Sequence, residues 1–265
     1  MDQQRIMEIW CSMAGSGTGY LIGDRFVLTV YHVVRHAVHA HGERLEVRQL
    51  DRHGRSAWLS AKQIWPEHEP DLEADPGADA ALLMITDPAW QPFTGEPVRW
   101  GRLSIDNRQR VPCLAVGFPE SEHQAGIRDT KEMRGHIEPL TAVKSGLITV
   151  HVDHSAAPSQ PSVTSRWAGG SGAALFCGPL LVGVVTIDRT ESYQANQLTA
   201  VAVASLMERP GFRRILNSRA SLALEEIAES ETGERNLTAV ISSAFRSAFR
   251  HAQVRIALLL ALLVF

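Results

Sequence analysis

Short apolar runs recur along most of the chain: Tyr20–Ile22, Phe26–Val30, Leu45–Val47, Ala80–Ile85, Val111–Val116, Leu147–Val152, Ala173–Phe176, Leu180–Ile187 and Leu198–Val203. Glycine, proline and acidic turn signals separate them. Runs of this length between turn residues read as β-strands, so the pattern predicts an all-β body. Gly23-Asp24 is a tight-turn dipeptide between the first two runs. Ala173–Phe176 and Leu180–Ile187 are almost continuously apolar, as suits strands covered on both faces. Polar segments predict loops at Glu67–Gly77 and at His154–Arg166, and a connector between two halves at Gln91–Asn107. No internal repeat is visible.

The period changes near residue 206. Phe212, Ile215 and Leu216 stand at i, i+3 and i+4, so Leu206–Leu216 predicts a closing helix. Residues 218–235 read as a helical acidic patch followed by Gly233. Asn236–Phe265 reads as a further helix, striped by Leu237, Val240, Ile241, Ala244, Phe245, Ala248 and Phe249. Its end, Ile256–Phe265, is wholly apolar, whereas a membrane span needs about twenty apolar residues. Three readings stay open for this tail: packing on the body or on a second chain in a helix-mediated oligomer, the start of a span or domain continuing past Phe265, or contact with a membrane surface.

Three polar positions interrupt the strand pattern in an informative order. His32 follows the Phe26–Val30 run, Asp79 immediately precedes Ala80–Ile85, and Ser171 lies in Ala168-Gly169-Gly170-Ser171-Gly172-Ala173. A serine hydroxyl is a poor nucleophile near neutral pH and needs an imidazole to take its proton. A buried carboxylate must hold the other imidazole N–H and favour the imidazolium that forms. Backbone N–H groups must then meet the charge that develops on the attacked carbonyl. Glycines let the backbone turn tightly beside the hydroxyl. These residues predict Ser171 as nucleophile, His32 as base, Asp79 as orienting carboxylate, and the N–H groups of Gly169 and Ser171 as oxyanion donors.

His36 and His39 compete with His32, but they follow the strand by more residues and belong on a short helix or its exit. Asp71, Asp75 and Asp87 compete with Asp79, but they lie among prolines and acids or after the strand. Cys177 is a rival nucleophile on paper, yet its place after Leu175-Phe176 predicts a buried, inert thiol. His32, His36, His39 and His41 raise the question of a metal, but no cysteine pair or zincin motif accompanies them. The sequence predicts no metal and no cofactor.

The chain resembles the trypsin/chymotrypsin-like serine peptidases over about residues 8–217. Thr29-Val30-Tyr31-His32 is similar to the family's Thr-Ala-Ala-His, and Gly169-Gly170-Ser171-Gly172-Ala173 to its Gly-Asp/Asn-Ser-Gly-Gly. Gly15–Ile22, Val116–Pro119 and Leu181–Val185 resemble intracellular bacterial members. The resemblance implies two packed antiparallel six-stranded β-barrels with C-terminal helices: barrel one about 8–95, barrel two about 108–205, a closing helix about 206–217, and an extension over 218–265. It implies a serine endopeptidase acting through an acyl-enzyme on protein or peptide substrates. It places Ser165 at the base of the primary specificity pocket and Thr186, Ile187 and Asp188 along its wall; a serine base favours an uncharged residue before the scissile bond, with a basic residue drawn by Asp188 near the rim as the alternative. The run from Trp167 to Ala174 is similar to peptidase modules of actinobacterial signalling or defence proteins, which are fused to a sensing module or encoded with a regulatory partner. Two positions depart from the family. Gly170 replaces the acidic residue that pairs with a newly cut N-terminus in digestive relatives, so maturation by such cleavage is not expected. Val30-Tyr31 is bulkier than the usual alanine pair. The alternative is a catalytically silent peptide-binding module, or a membrane-associated scaffold, with the same fold.

Composition narrows the rest. The chain has 265 residues with 26 basic and 29 acidic side chains, a net charge of −3, which offers no general attraction to nucleic acid. Three cysteines make no even disulfide framework, and no long apolar stretch follows Met1–Arg5. Both features predict a cytoplasmic protein in a reducing compartment.

Overall fold

A computed structural model describes residues 1–12, 15–39, 44–50, 56–107, 109–124, 127–153, 167–186, 196–217 and 222–227. In chain order its elements are β1 (Ile6–Cys11), β2 (Gly15–Leu21), β3 (Phe26–Thr29), α1 (Tyr31–His39), β4 (Leu45–Gln49), β5 (Leu59–Trp65) and β6 (Ala81–Ile85). Then follow β7 (Trp100–Leu103), β8 (Val111–Gly117), β9 (His123–Gln124), β10 (Ile127–Arg128), β11 (Lys131–Ile137), β12 (Leu147–Val152), β13 (Ala174–Cys177), β14 (Leu180–Thr186) and β15 (Gln197–Ala202). The described chain ends with α2 (Val203–Glu208), α3 (Pro210–Asn217) and β16 (Leu224–Ile227).

The strands form two closed six-stranded barrels. The first runs β1-β2-β3-β6-β5-β4, and the second β13-β8-β11-β12-β15-β14, closed by the β13–β14 pair. All pairs around both barrels are antiparallel. Aliphatic side chains fill them, among them Leu28, Leu82 and Leu83 in the first and Met133, Ile137 and Leu175 in the second. The first core continues onto Phe118, Phe176, Val184 and Val201 from the second barrel. Tyr20 meets Phe176 edge-on with ring centroids 5.2 Å apart.

Register positions the future site. β3 and β6 run antiparallel with Thr29 opposite Ala81. The residues that follow Thr29 therefore lie beside those that precede Ala81, and His32 is brought to Asp79 across the barrel rim. Val30 and Tyr31, bulkier than the family's alanines, are accommodated in the core, where both are fully buried. His36 and His39 fall within α1, as the spacing predicts.

Three segments differ from the sequence expectation. The connector 91–107 contains β7, which lies parallel to β14 with Trp100 opposite Leu181. The closing helix is two helices: the Arg209 N–H closes α2 on the Leu206 carbonyl, and Pro210, which has no N–H to continue the ladder, opens α3. Where an acidic helical patch was expected, Leu224–Ile227 is a strand parallel to β7. Its acids face arginines on the neighbouring segment, Arg99 with Glu225 at 2.5 Å and Arg102 with Glu226 at 3.6 Å. These exposed pairs favour the register without adding much stability.

Among the described residues no helix is long and apolar enough to cross a membrane. The expected helix over 236–265, with its apolar end, lies outside the described residues, as do His41 and the loop His154–Arg166.

Phe212 seals α3 onto barrel one. It is fully buried and meets Trp65 edge-on, ring centroids 5.2 Å apart. Phe212→Ala is expected to lower unfolding free energy by about 3–5 kcal/mol, the usual result of truncating a buried aromatic, as read from urea denaturation. A loss below about 1 kcal/mol would mean that the helix is not part of the folded core.

Candidate active site

Asp79 sits at the exit of a short 3-10 turn, Pro76–Ala78, where its own N–H closes on the Pro76 carbonyl. The turn ends just before β6, so the carboxylate stands at the barrel rim with only 6 % of the residue exposed. It accepts three hydrogen bonds. The His32 backbone N–H donates to Oδ1 at 2.9 Å, the His32 ring meets Oδ2 through Nδ1 at 2.7 Å, and the Thr186 hydroxyl donates to Oδ2 at 2.7 Å. One carboxylate thus satisfies an N–H in the first turn of α1, which has no partner within the helix, and fixes the ring of the same residue.

Burial pushes the Asp79 carboxyl up, but the His32 ring hydrogen bond and charge, the Thr186 hydroxyl and the His32 N–H outweigh it. The group is held below its ordinary range. An ionised Asp79 facing Nδ1 favours the tautomer with its proton on Nδ1, leaving Nε2 free to accept one.

Ser171 lies in a turn held from several sides. Gly170 donates to the Trp167 carbonyl at 2.8 Å, and Ala173 to the Gly170 carbonyl at 3.1 Å. The Ser171 carbonyl accepts the Thr18 N–H at 2.8 Å, and Gly172 donates to the Val185 carbonyl at 2.7 Å. Gly172 has φ +91°, and a Cβ there would run into the Thr18 carbonyl, so the residue after Ser171 has to be glycine.

Two routes join this turn to His32. Through β14, Gly172 is bonded to Val185, and the next residue, Thr186, binds Asp79. Through β2, the position of Gly17 has Val33, the neighbour of His32, on one side and the Ser171 carbonyl on the other. A Cβ on Gly17 would lie 2.6 Å from Val33 Cγ1 and 3.3 Å from that carbonyl. The Ser171 turn and the first turn of α1 therefore flank one point on β2. Among the described residues no hydrogen bond joins the Ser171 hydroxyl to the His32 ring.

The peptides that carry the Gly169 and Ser171 N–H groups are oriented. The Ala168 carbonyl accepts the Glu120 N–H at 2.6 Å, and the Gly170 carbonyl accepts Ala173. In a trans peptide the N–H points opposite to its carbonyl, so the N–H groups of Gly169 and Ser171 are turned away from these partners. Neither N–H donates to a carbonyl of the described residues.

Of the remaining sequence-predicted residues, Ser165, Ile187 and Asp188 lie outside the described residues. Thr186, placed by the resemblance on a pocket wall, turns its hydroxyl to Asp79. That second support for the carboxylate carried no signal in the sequence beyond a polar residue ending an apolar strand. Cys177 is buried in β13, where desolvation drives its thiol well above the ordinary value, and Cys113 is pushed up to about 12 for the same reason. Neither is a nucleophile near neutral pH. Asp71 and Asp75 are taken up by local structure: Asp71 caps the N–H groups of Glu73 and Ala74, and Asp75 binds Arg209.

Comparisons with known proteins bear on the fold and the family. A family model described as Trypsin matches residues 4–207. Among solved structures, Glu endopeptidase is similar at 18 % identity with a TM-score of 0.56, covering 82 % of this chain and 92 % of its own. A mutant of human heparin binding protein is similar at 14 % identity and 0.56, covering 82 % and 93 %. Neuropsin, a serine protease of mouse brain, is similar at 15 % identity and 0.54, covering 78 % and 92 %. No curated protein matches the sequence. At these identities the structures speak for the fold alone, whereas the family match spans most of the chain and takes in both His32 and Ser171: the chain belongs to the trypsin family of serine-type endopeptidases.

Proposed function

We propose that Ser171, His32 and Asp79 form a catalytic triad that hydrolyses peptide bonds in protein substrates. The observation that carries this reading is the buried carboxylate of Asp79, bonded to both the N–H and the ring of His32 while its Thr186 partner leads back to the Ser171 turn.

In this reading Ser171 Oγ attacks the scissile carbonyl carbon as His32 Nε2 takes the hydroxyl proton. The carbonyl π electrons move onto oxygen, and that oxyanion lies against the Gly169 and Ser171 N–H groups. Asp79 stabilises the imidazolium through Nδ1. His32 then gives its proton to the leaving amine as the C–N bond breaks, which leaves an acyl-enzyme. Water attacks the ester with His32 again as base, and Ser171 is released. Catalytic hydrogen bonds are often long before substrate binds, so the Ser171–His32 bond belongs to the substrate complex.

The finer reading is a regulated effector of bacterial signalling or defence, supported by the likeness of Trp167–Ala174 to such peptidase modules. Cysteine content supports a reducing compartment such as the cytoplasm. The family resemblance, which assigns Ser165 to the base of the primary pocket, supports a preference for an uncharged residue before the scissile bond.

A fluorophosphonate probe is expected to label the wild-type chain and not Ser171→Ala, and peptide hydrolysis should fall by on the order of 10⁴-fold in that variant. A chain that is never labelled would replace catalysis with a peptide-binding role, and labelling that survives in Ser171→Ala would overturn Ser171 as the nucleophile.

Acid titration tests Asp79. Folding holds its carboxyl below the ordinary value of 3.8, so the ionised group stabilises the fold fully above that value. The contribution is lost as pH falls through the lower folded-state value. The stability difference between wild type and Asp79→Asn, from urea unfolding, should shrink as pH falls from about 5 into stronger acid. A difference that is unchanged or grows over that acid range contradicts the ionised, hydrogen-bonded carboxylate.

A further inference from the structure

Thr18 lies at the meeting of both barrels, has no measurable exposure, and uses every polar group it has. Its N–H donates to the Ser171 carbonyl at 2.8 Å and its carbonyl accepts the Thr29 hydroxyl at 2.7 Å. Its own hydroxyl donates to the Gly169 carbonyl at 2.8 Å and accepts the Phe118 N–H at 3.0 Å. The N–H bond anchors the nucleophile turn to β2, and the carbonyl bond ties β2 to the end of β3. The hydroxyl bonds reach a different target.

The peptide linking Gly169 to Gly170 separates the two N–H groups assigned above to the oxyanion. Thr18 holds its oxygen, and the Trp167 carbonyl holds its N–H. Rotation of this one peptide would change Gly169 ψ and Gly170 φ together, and with them the angle between the two donors. Glycines flank it on both sides, so no side chain resists that rotation. A buried hydroxyl with both its donor and its acceptor function engaged does resist it. A carbonyl left unpinned here could turn toward the substrate, where it would repel the developing negative charge.

We propose that Thr18 is a positioning residue for the reaction: its hydroxyl locks the Gly169–Gly170 peptide so that the Gly169 and Ser171 N–H groups converge on one oxygen. It touches no reacting atom. The proposal rests on the reading of these two groups as oxyanion donors, and it adds a determinant contributed by the first barrel to an oxyanion site built on the second.

The test uses the full chain and a fluorophosphonate probe, whose phosphoryl oxygen develops charge as Ser171 attacks phosphorus and fluoride leaves. Labelling rates over a range of probe concentrations separate initial binding from the chemical step. Thr18→Val removes the hydroxyl and keeps the branched shape; Thr18→Ser keeps the hydroxyl. The chemical step is expected to slow by about 10- to 100-fold in Thr18→Val, less than the loss of a whole oxyanion donor, with probe binding nearly unchanged. Thr18→Ser should restore most of the rate, which a purely packing role would not predict. If Thr18→Val fails to fold, Thr18→Cys, with its weak hydrogen-bonding group, takes its place and should show the same slowing. A Val or Cys variant reacting at the wild-type rate, a loss confined to probe binding, or a Ser variant as slow as Val would overturn the proposal. If the wild type is not labelled, or Ser171→Ala still is, the nucleophile assignment fails and the role of Thr18 falls with it. Ser171-dependent labelling with no effect at Thr18 sinks the Thr18 role alone.

Discussion

A carboxylate moved from water into a barrel rim stays charged only where donors replace its hydration. At Asp79 those donors come from both halves of the molecule: the N–H and ring of His32 from the first barrel and the Thr186 hydroxyl from the second. The same three bonds that keep the group ionised fix the helix start, the imidazole and the end of β14. The geometry of the proposed triad and the inter-barrel geometry are therefore one arrangement. Loss of a donor leaves a buried charge underpaired, so an error in docking the barrels carries an energetic penalty at the place where chemistry needs accuracy.

The second barrel answers through Ser171. Its turn is fastened to β2 by Thr18, crowded against β2 at Gly172, and linked to β14 through Val185. Each attachment is a backbone group or a small residue. Long side chains would add rotamer freedom, whereas backbone anchors hold a hydroxyl in place at little entropic cost. The flexible glycines that allow the turn are thereby confined to one conformation.

Much of this was legible in the sequence because it depends on local pattern. The runs at Phe26–Val30, Ala80–Ile85, Leu147–Val152 and Leu180–Ile187 are apolar enough to announce strands, and His32 and Asp79 stand at the ends of the first two. Strands with one wet face were harder to see. In β11 only Met133, Gly135 and Ile137 point inward, and Gly135 is there because a Cβ would strike the His151 carbonyl of the next strand. In β5 polar Lys62 and Gln63 dilute the signal. In β1 the buried Glu8 breaks the apolar run, and its partner Arg48 lies on β4, in ion-pair contact at 2.5 Å. Leu224–Ile227 offered only an acidic helical pattern, because its partner strand β7 lies more than a hundred residues away. Thr186 and Thr18 were unreadable for the same reason: a hydroxyl gives no hint in one dimension of the carbonyl or carboxylate that it will meet.

The account stands on the charged hydrogen bond between His32 and Asp79, and proton NMR observes such a bond directly. A spectrum of the wild-type chain should contain a far-downfield resonance from the Nδ1 proton, absent in His32→Ala and in Asp79→Ala and retained in Ser171→Ala. Absence of the signal in wild type across the accessible pH range, or its persistence without Asp79, would contradict the geometry from which everything else follows.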